Sequence, residues 1–393
     1  MTVRKRSTST KTPGMFRTTL ALIVIILAVA CSAPQQQPAP QAQPEQIRIG
    51  ALLGLSGDIA TSYGQAQKKG VELAVNEVND SNYLGAGKQL KLVIADAGPG
   101  ADTALSGITN LIETDNVSAI IGPTLSTQAF KADPVAQKHG VPVIAVSNTV
   151  PGITEMGGYI FRCSLPESTV IGGTIKAAAS QLRVVKIAYL WGSDDDYTIA
   201  GYKAFKDAVL KNGLKVMADE TFNRGDTDFK PQIERIIAKG PDAILVSALA
   251  KEAAAIIIQA RSLGYTGIII GGNGFNSTDV IKQAGSYAEG VMAGTAWNIA
   301  SINTRNLEFI SAYQKAYGIK PDQFAAQAYT GTWLLANAIR TAGSSDPQAI
   351  RDALAGISNF TTPMGSFSFT QDREPVHPAV VQIVKNGRFT IFK

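Results

Sequence analysis

The sequence predicts an α/β protein built as two lobes, each a parallel sheet covered on both faces by helices. Three observations carry this expectation. Short β-branched apolar runs alternate with segments of helical period along most of the chain. The alternation runs once to about Cys163 and then starts again. The runs are continuously apolar, as strands buried on both faces must be. With 393 residues the chain has room for two domains of ordinary size.

In the first half, "IRIGALLGL" and "KLVIADAG" read as buried strands. Between them "GQAQKKGVELAVNEVND" places Val71, Leu73, Ala74 and Val78 at helical spacing. "VSAIIGP", "VPVIAVS" and "IFRCS" continue the series. In the second half "VKIAYLWG", "LKVMADETF", "DAILVSAL", "TGIIIGGNG" and "GVMAGTAW" are strand-like. The helices among them, "YTIAGYKAFKDAVLKNG", "DFKPQIERIIAKG" and "KEAAAIIIQARSLG", each run into a glycine suited to a left-handed C-terminal turn. The tail differs. "NTRNLEFISAYQKAYG", "AAQAYTGTWLLANAIRTAG" and "DPQAIRDALAGIS" are helical, while "MGSFSFTQD" and "AVVQIVKNGRFTIF" look like antiparallel strands. "KNG" is a hairpin signal. Pattern alone assigns the tail to neither lobe.

The formal charge of +5 is a property of the N-terminus. Arg4, Lys5, Arg6, Lys11 and Arg17 precede residue 31 and no acid does, which leaves 31 bases against 31 acids in the rest. A nucleic-acid footprint on the body is therefore not expected. The basic stretch leads into "LALIVIILAVA" (Leu20 to Ala30), about half of the roughly 20 apolar residues that cross a bilayer. This is the form of a secretory signal at 1–30. Cys31 directly after it resembles the lipidated first residue of a bacterial lipoprotein, although Ala28 stands where that pattern prefers Leu. "SAPQQQPAPQAQPEQ" then reads as a solvated tether to residue 46. These features predict an extracytoplasmic protein anchored to a membrane through Cys31. Cys163 is the one cysteine of the body, so no disulfide is expected there, and a small buried side chain is.

Little in the sequence asks for catalysis. His139 and His377 lack metal-spaced partners. No phosphate loop, dinucleotide fingerprint or nucleophile elbow is present, and the spacing in "GGNGFNS" (Gly271 to Ser277) fits none of them. No metal or cofactor is expected. What stands out is two adjacent strand ends rich in hydroxyls. "GPTLSTQ" brings Thr124, Ser126 and Thr127 to the start of a helix, and "AVSNTVPGIT" brings Ser147, Asn148 and Thr149. In open parallel sheets ligands sit at the carboxyl ends of strands beside helix N-termini. A carboxylate there would meet free backbone N–H groups and several O–H donors. Each motif alone could be a helix cap; two side by side favour a ligand.

These segments, together with "YIFRCSLP" and "FNRGDTDFKPQIERIIAKGPDAILV", resemble in order and spacing the leucine/isoleucine/valine-binding proteins, the solute receptors of branched-chain amino acid ABC transporters. The resemblance covers nearly all of 47–393. It implies a type I periplasmic-binding fold: two doubly wound lobes, three crossing strands and a ligand cleft between the lobes. On that pattern lobe 1 is 47–164 plus 299–362, and lobe 2 is 165–298 plus 363–393, with hinges near Leu165, Ile299 and Thr362. The resemblance also implies roles. Ser126 would hold the ligand carboxylate, Ser147 would offer its backbone carbonyl to an ammonium, and Thr149 would serve either group. Tyr63 and Tyr197 would wall the cleft. The partners implied are a small solute and the permease subunits of an ABC importer, with the receptor itself a monomer.

Two departures bear on the ligand. Asn273 stands where amino acid receptors carry an acid, and Ala250 replaces an aromatic in the turn after "DAILVS". Asp58 or Asp194 to Asp196 could restore a charge, though loop or cap roles are expected for them. A small carboxylate-bearing solute is expected, a branched-chain amino acid foremost; an aromatic acid, an amide and a urea-like ligand remain open. A sensor on the same fold is the other functional class, disfavoured because no segment follows Lys393 to carry a signal.

Overall fold

The computed structural model describes residues 44–57 and 61–393. The expected signal, Cys31, the tether to residue 43 and Asp58 lie outside them. Among the described residues no helix is long and apolar enough to cross a membrane.

The first sheet holds β1 (Glu45–Leu53), β2 (Lys88–Asp96), β3 (Ala119–Ile121), β4 (Val143–Ala145) and β5 (Ile160–Arg162), in the order β2-β1-β3-β4-β5. Every pairing is parallel. Helices α1 (Thr61–Asp80), α2 (Ala101–Glu113) and α3 (Ser126–His139) connect the first four. Period-two alternation between two covered faces explains why β1 carries no polar side chain from Ile49 to Leu53. Ile49, Ala51 and Leu53 pack with Val71 and Ala74 of α1, while Leu52 packs with Ile108 and Ala129 on the other face.

After β5 the chain crosses to α4 (Glu167–Gln181) and the second sheet. This contains β6 (Lys186–Gly192), β7 (Lys215–Phe222), β8 (Ala243–Ser247), β9 (Ile268–Gly271) and β10 (Met292–Thr295). Helices α5 (Asp196–Lys211), α6 (Lys230–Ile237), α7 (Ala250–Ser262) and α8 (Thr278–Ala284) lie between them. The same alternation holds: Ala243 and Leu245 share a cluster with Phe205, Ile244 and Val246 one with Ile233 and Ile257.

The tail runs α9 (Thr304–Tyr317), α10 (Gln323–Ala342), α11 (Pro347–Ala355), β11 (Phe360–Thr362), β12 (Gly365–Phe369), β13 (Pro375–Val376), β14 (Val380–Lys385) and β15 (Arg388–Ile391). Helix α10 packs along α1 and completes one face of the first sheet. Strands β14 and β15 extend the second sheet, in the order β15-β14-β10-β9-β8-β6-β7. Their turn has Asn386 at φ 53° and Gly387 at φ 69°, the left-handed pair that a tight hairpin requires. "MGSFSFTQD" does not join that hairpin. Its strand β12 pairs with β11 and β13 in a small separate sheet, and Phe369 there meets Phe161 of β5 with ring centroids 5.1 Å apart. The expected lobe boundary at 362/363 falls between β11 and β12. Cys163 is buried and free, as a small core side chain would be, and burial raises its thiol pKa.

A Cβ on Gly70 would lie 2.3 Å from the Ala325 carbonyl oxygen of α10. Gly70→Ala therefore forces α1 and α10 apart and costs about 1–3 kcal/mol of stability, read by urea unfolding. Asp322 caps α10, accepting from Ala325 N at 3.0 Å, and burial pushes its carboxyl up to about 6. An unfolded Asp titrates near 3.9, so the folded protein binds the extra proton between about pH 4 and 6. Stability from this group falls as pH rises through that window. Asp322→Asn removes about 1 kcal/mol of the stability difference between pH 5 and pH 7, read by urea unfolding at both.

Candidate functional site

The carboxyl ends of β3, β4 and β8 and the loop after β9 face one another. Tyr63, Ser126, Ser147, Tyr197 and Asn273 line one cavity there, with Thr124, Leu125, Leu249 and Phe324. Thr149 adjoins it, its N–H donating to Ser126 Oγ at 3.2 Å. All six site residues expected from sequence therefore meet at one place.

The hydroxyl row in "GPTLSTQ" divides by function. Thr124 is internal: its hydroxyl donates to Gln67 Oε1 at 2.6 Å and accepts from Gly54 N at 2.9 Å. Thr127 donates to Asp195 Oδ2 at 3.0 Å, across to the other lobe. Gln128 reaches the carbonyls of Ala97 and Gly98, and its Oε1 accepts from Leu125 N. None of these hydroxyls caps α3. The N-cap is Leu125, whose side chain has no acceptor, so the first amides of the helix have no side-chain cap. Ser126, first in the helix and 2% exposed, has its Oγ occupied as an acceptor only, and its proton remains available. Thr149 Oγ1 is buried without a hydrogen-bond partner. Together they offer the helix dipole, two hydroxyls and backbone N–H groups to an anion. Ser147 is tied back, accepting from Gln67 Nε2 at 2.7 Å and donating to the Thr124 carbonyl at 2.6 Å. This leaves its hydroxyl no proton for a ligand.

From the opposite side, Tyr63 Oη donates to the Gly274 carbonyl at 2.9 Å, and Gly274 N donates to Tyr197 Oη at 2.6 Å. Burial raises both phenol pKa values, and the neighbouring Glu167 adds to the rise at Tyr197. Both remain neutral hydroxyls. Tyr63 also packs on Phe324, with centroids 4.4 Å apart.

Sequence reasoning missed two residues. Phe324, in the first turn of α10, is one. Glu167 is the other. It opens α4 directly after the first crossing and is 1% exposed. Its Oε1 accepts from Asn273 N at 2.9 Å, its Oε2 from Asn273 Nδ2 at 2.7 Å, and Tyr197 Oη lies 3.4 Å from Oε1. Burial raises its pKa; the two Asn273 donors and the Tyr197 hydroxyl oppose that rise. Its one available signal was an acid in "LPES", after a predicted crossing. The glycines of "GGNG" now have a reason. A Cβ on Gly272 would lie 2.0 Å from Glu167 Oε1, and one on Gly274 2.4 Å from the Ala248 carbonyl oxygen. The stretch is glycine-rich so that a carboxylate and a strand end can approach its backbone.

The acids considered from sequence have other work. Asp195 caps α5, accepting from Tyr197 N at 3.0 Å and Thr198 N at 3.3 Å, and Asp194 accepts from Arg224 N at 2.8 Å. Asp196 lies in the first turn of α5. After "DAILVS" it is Leu249 that lines the cavity, with Ala250 buried beside it.

The lobes are closed on one another. Besides the Tyr63 and Thr127 bonds, Arg224 Nη2 donates to the Pro99 carbonyl at 2.9 Å, and Gln323 Nε2 donates to Asn273 Oδ1 at 3.2 Å. The cavity left is about 20 Å³, room for about one water, so a larger ligand enters only when the lobes part. A larger cavity of about 280 Å³ lies beyond the Asn276, Gln323, Gln382 and Asn298 amides. Those amides are all bonded, and the cavity has no orphan polar atom comparable with Thr149 Oγ1. Chemistry rather than size favours the smaller one.

A periplasmic binding protein family model matches residues 46–388. The leucine-, isoleucine-, valine-, threonine- and alanine-binding protein of Pseudomonas aeruginosa is 25% identical over 350 residues, 89% of this chain and 90% of that protein. The branched-chain amino acid transporter substrate-binding protein LivJ of Streptococcus pneumoniae, solved with isoleucine, superposes with a TM-score of 0.83 at 32% identity, covering 88% of this chain and 98% of that one. A solute-binding protein of an R. palustris ABC transporter, solved with benzoate, shares the fold, with a TM-score of 0.80 at 23% identity over 88% of this chain and 95% of that one.

Removing Arg224 tests the closure. Its bond to Pro99 is worth about 1 kcal/mol, roughly a fivefold shift toward the open form. Arg224→Ala is expected to raise the radius of gyration measured by small-angle X-ray scattering without ligand.

Proposed function

The chain belongs to the periplasmic binding protein family, and from that premise we propose that it is the extracytoplasmic receptor of an ABC importer for a small α-amino acid, a branched-chain one foremost. The observation that carries this is the pairing of Ser126 with Thr149 at the start of α3, whose first amides have no side-chain cap, so that an anion finds several donors there. The ligand carboxylate binds there, and Tyr63, Tyr197, Leu249 and Phe324 enclose its side chain. The relative from P. aeruginosa and the isoleucine-bound protein from S. pneumoniae support the amino acid class.

Binding needs no bond-making step. The lobe carrying α3 captures the solute, and the other closes over it through Tyr197, Asn273 and the Thr127–Asp195 bond. Closure is a population shift set by the ligand's preference for the closed form. The closed receptor then delivers the solute to a membrane permease. Lipidation at Cys31 would hold it near that permease, with residues 31–46 as tether.

Screening the soluble body by thermal shift against amino acids, aromatic acids and amides identifies the class; a ligand at 100 times its Kd adds about 2.7 kcal/mol of stability. Ser126→Ala then weakens the best ligand about 10- to 100-fold by calorimetry, from loss of a charge-assisted bond. An unchanged Kd removes Ser126 from the site. Deleting the permease separates transport from sensing, since only a transport receptor loses uptake.

A further inference from the structure

We propose that Glu167 supplies the negative charge for the ligand's ammonium group, with Asn273 as the neutral relay between them, so that the pocket selects α-amino acids over carboxylates without an amine. This rests on the receptor reading above and names what that reading leaves open.

Glu167 is a buried carboxylate with no cation beside it among the described residues. Buried carboxylates are paired, metal-bound or neutralised. Glu167 is 1% exposed, and none of the ion pairs among the described residues includes it. Its neighbours are instead the cavity's own residues: Asn273 by backbone and side chain, Tyr197 by its hydroxyl, and Thr149, whose carbonyl accepts from Glu167 N at 3.2 Å. A structural acid would not need three cleft residues around it.

Glu167 also fixes what Asn273 shows the cavity. An ionised carboxylate only accepts, so the NH₂ of Asn273 must face it, at 2.7 Å. The amide oxygen is thereby turned the other way, where it accepts from Gln323 Nε2 at 3.2 Å. The orientation is locked from behind. Gln323 Oε1 accepts from Thr295 Oγ1, Ala296 N and Asn276 Nδ2, so its own NH₂ must point to Asn273. The polar atom that Asn273 offers is therefore an acceptor backed by an anion. A ligand ammonium satisfies it. A hydrogen or an alkyl group in the same place leaves the charge unanswered. Glu167 acts through Asn273 and is a positioning residue.

The test uses two ligand pairs differing only in the amine, leucine with 4-methylpentanoate and phenylalanine with 3-phenylpropanoate, titrated by calorimetry. The native protein is expected to favour an amino acid at least 100-fold over its deaminated partner. Glu167→Gln should cut that preference at least tenfold, by weakening the amino acid and not the plain acid. Adding Asn273→Asp to Glu167→Gln moves the carboxylate one residue toward the ligand and should recover amino acid binding, which no purely structural role of Glu167 would give. Unchanged preference in Glu167→Gln, or no recovery in the double variant, overturns the proposal. Native protein that binds either plain acid as tightly as its amino acid also overturns it, with no variant needed, and leaves the receptor reading standing. Native protein that binds neither member of both pairs and nothing in the amino acid screen overturns both.

Discussion

A carboxylate buried at the point where the chain first crosses between lobes constrains everything around it. Glu167 can be kept there only by neutral donors arranged about both oxygens. Asn273 provides two, one from its backbone and one from its amide, and Tyr197 stands at a third. These donors come from the second lobe, whereas Thr149, on the other side of the same carboxylate, belongs to the end of the first sheet. One side chain thus bears on the spacing of two strand ends, the reach of a tyrosine and the absence of a side chain at Gly272.

The same junction divides the cleft's contacts into two kinds. The corner at Ser126 and Thr149 is built within one lobe, from adjacent strand ends and a helix whose first amides have no side-chain cap. It does not depend on closure. The bonds that join the lobes across the cleft are of another kind: separate hydrogen bonds from Tyr63, Thr127 and Arg224, and a cluster about the Gln323 amide. Each is worth about 1 kcal/mol, so a ligand's contacts are large enough to decide the balance. A rigid half-site with a lightly held opposing wall is what capture followed by release requires.

Much of the fold was legible in the sequence because burial on both faces leaves few polar residues in a central strand. That is why "AIIG" and "AILVS" read correctly as strands, and why the "KNG" turn, needing two left-handed residues, read as a hairpin. That the hydroxyls of "GPTLSTQ" and "SNTVP" would meet was visible because two adjacent strand ends carried them. Their individual work was not visible. Thr124 and Ser147 look like ligand donors in sequence, yet both spend their protons within the lobe. The strand in "MGSFSFTQD" was legible, but its partners were not, since pairing is decided by what lies beside it in space.

The sequence by itself determined the parallel strands of the two sheets, the turn chemistry at their ends and the hydroxyl-rich corner where two of them finish. Each follows from residues close together in the chain, where local geometry and burial period leave few alternatives. Only the tertiary structure decided which acid stands at the cleft. Glu167 and Asn273 are separated by 106 positions, and nothing near either announces the other. The sequence shows a missing acid at Asn273; folding brings one behind it, because a crossing helix begins where the glycine-rich turn leaves room.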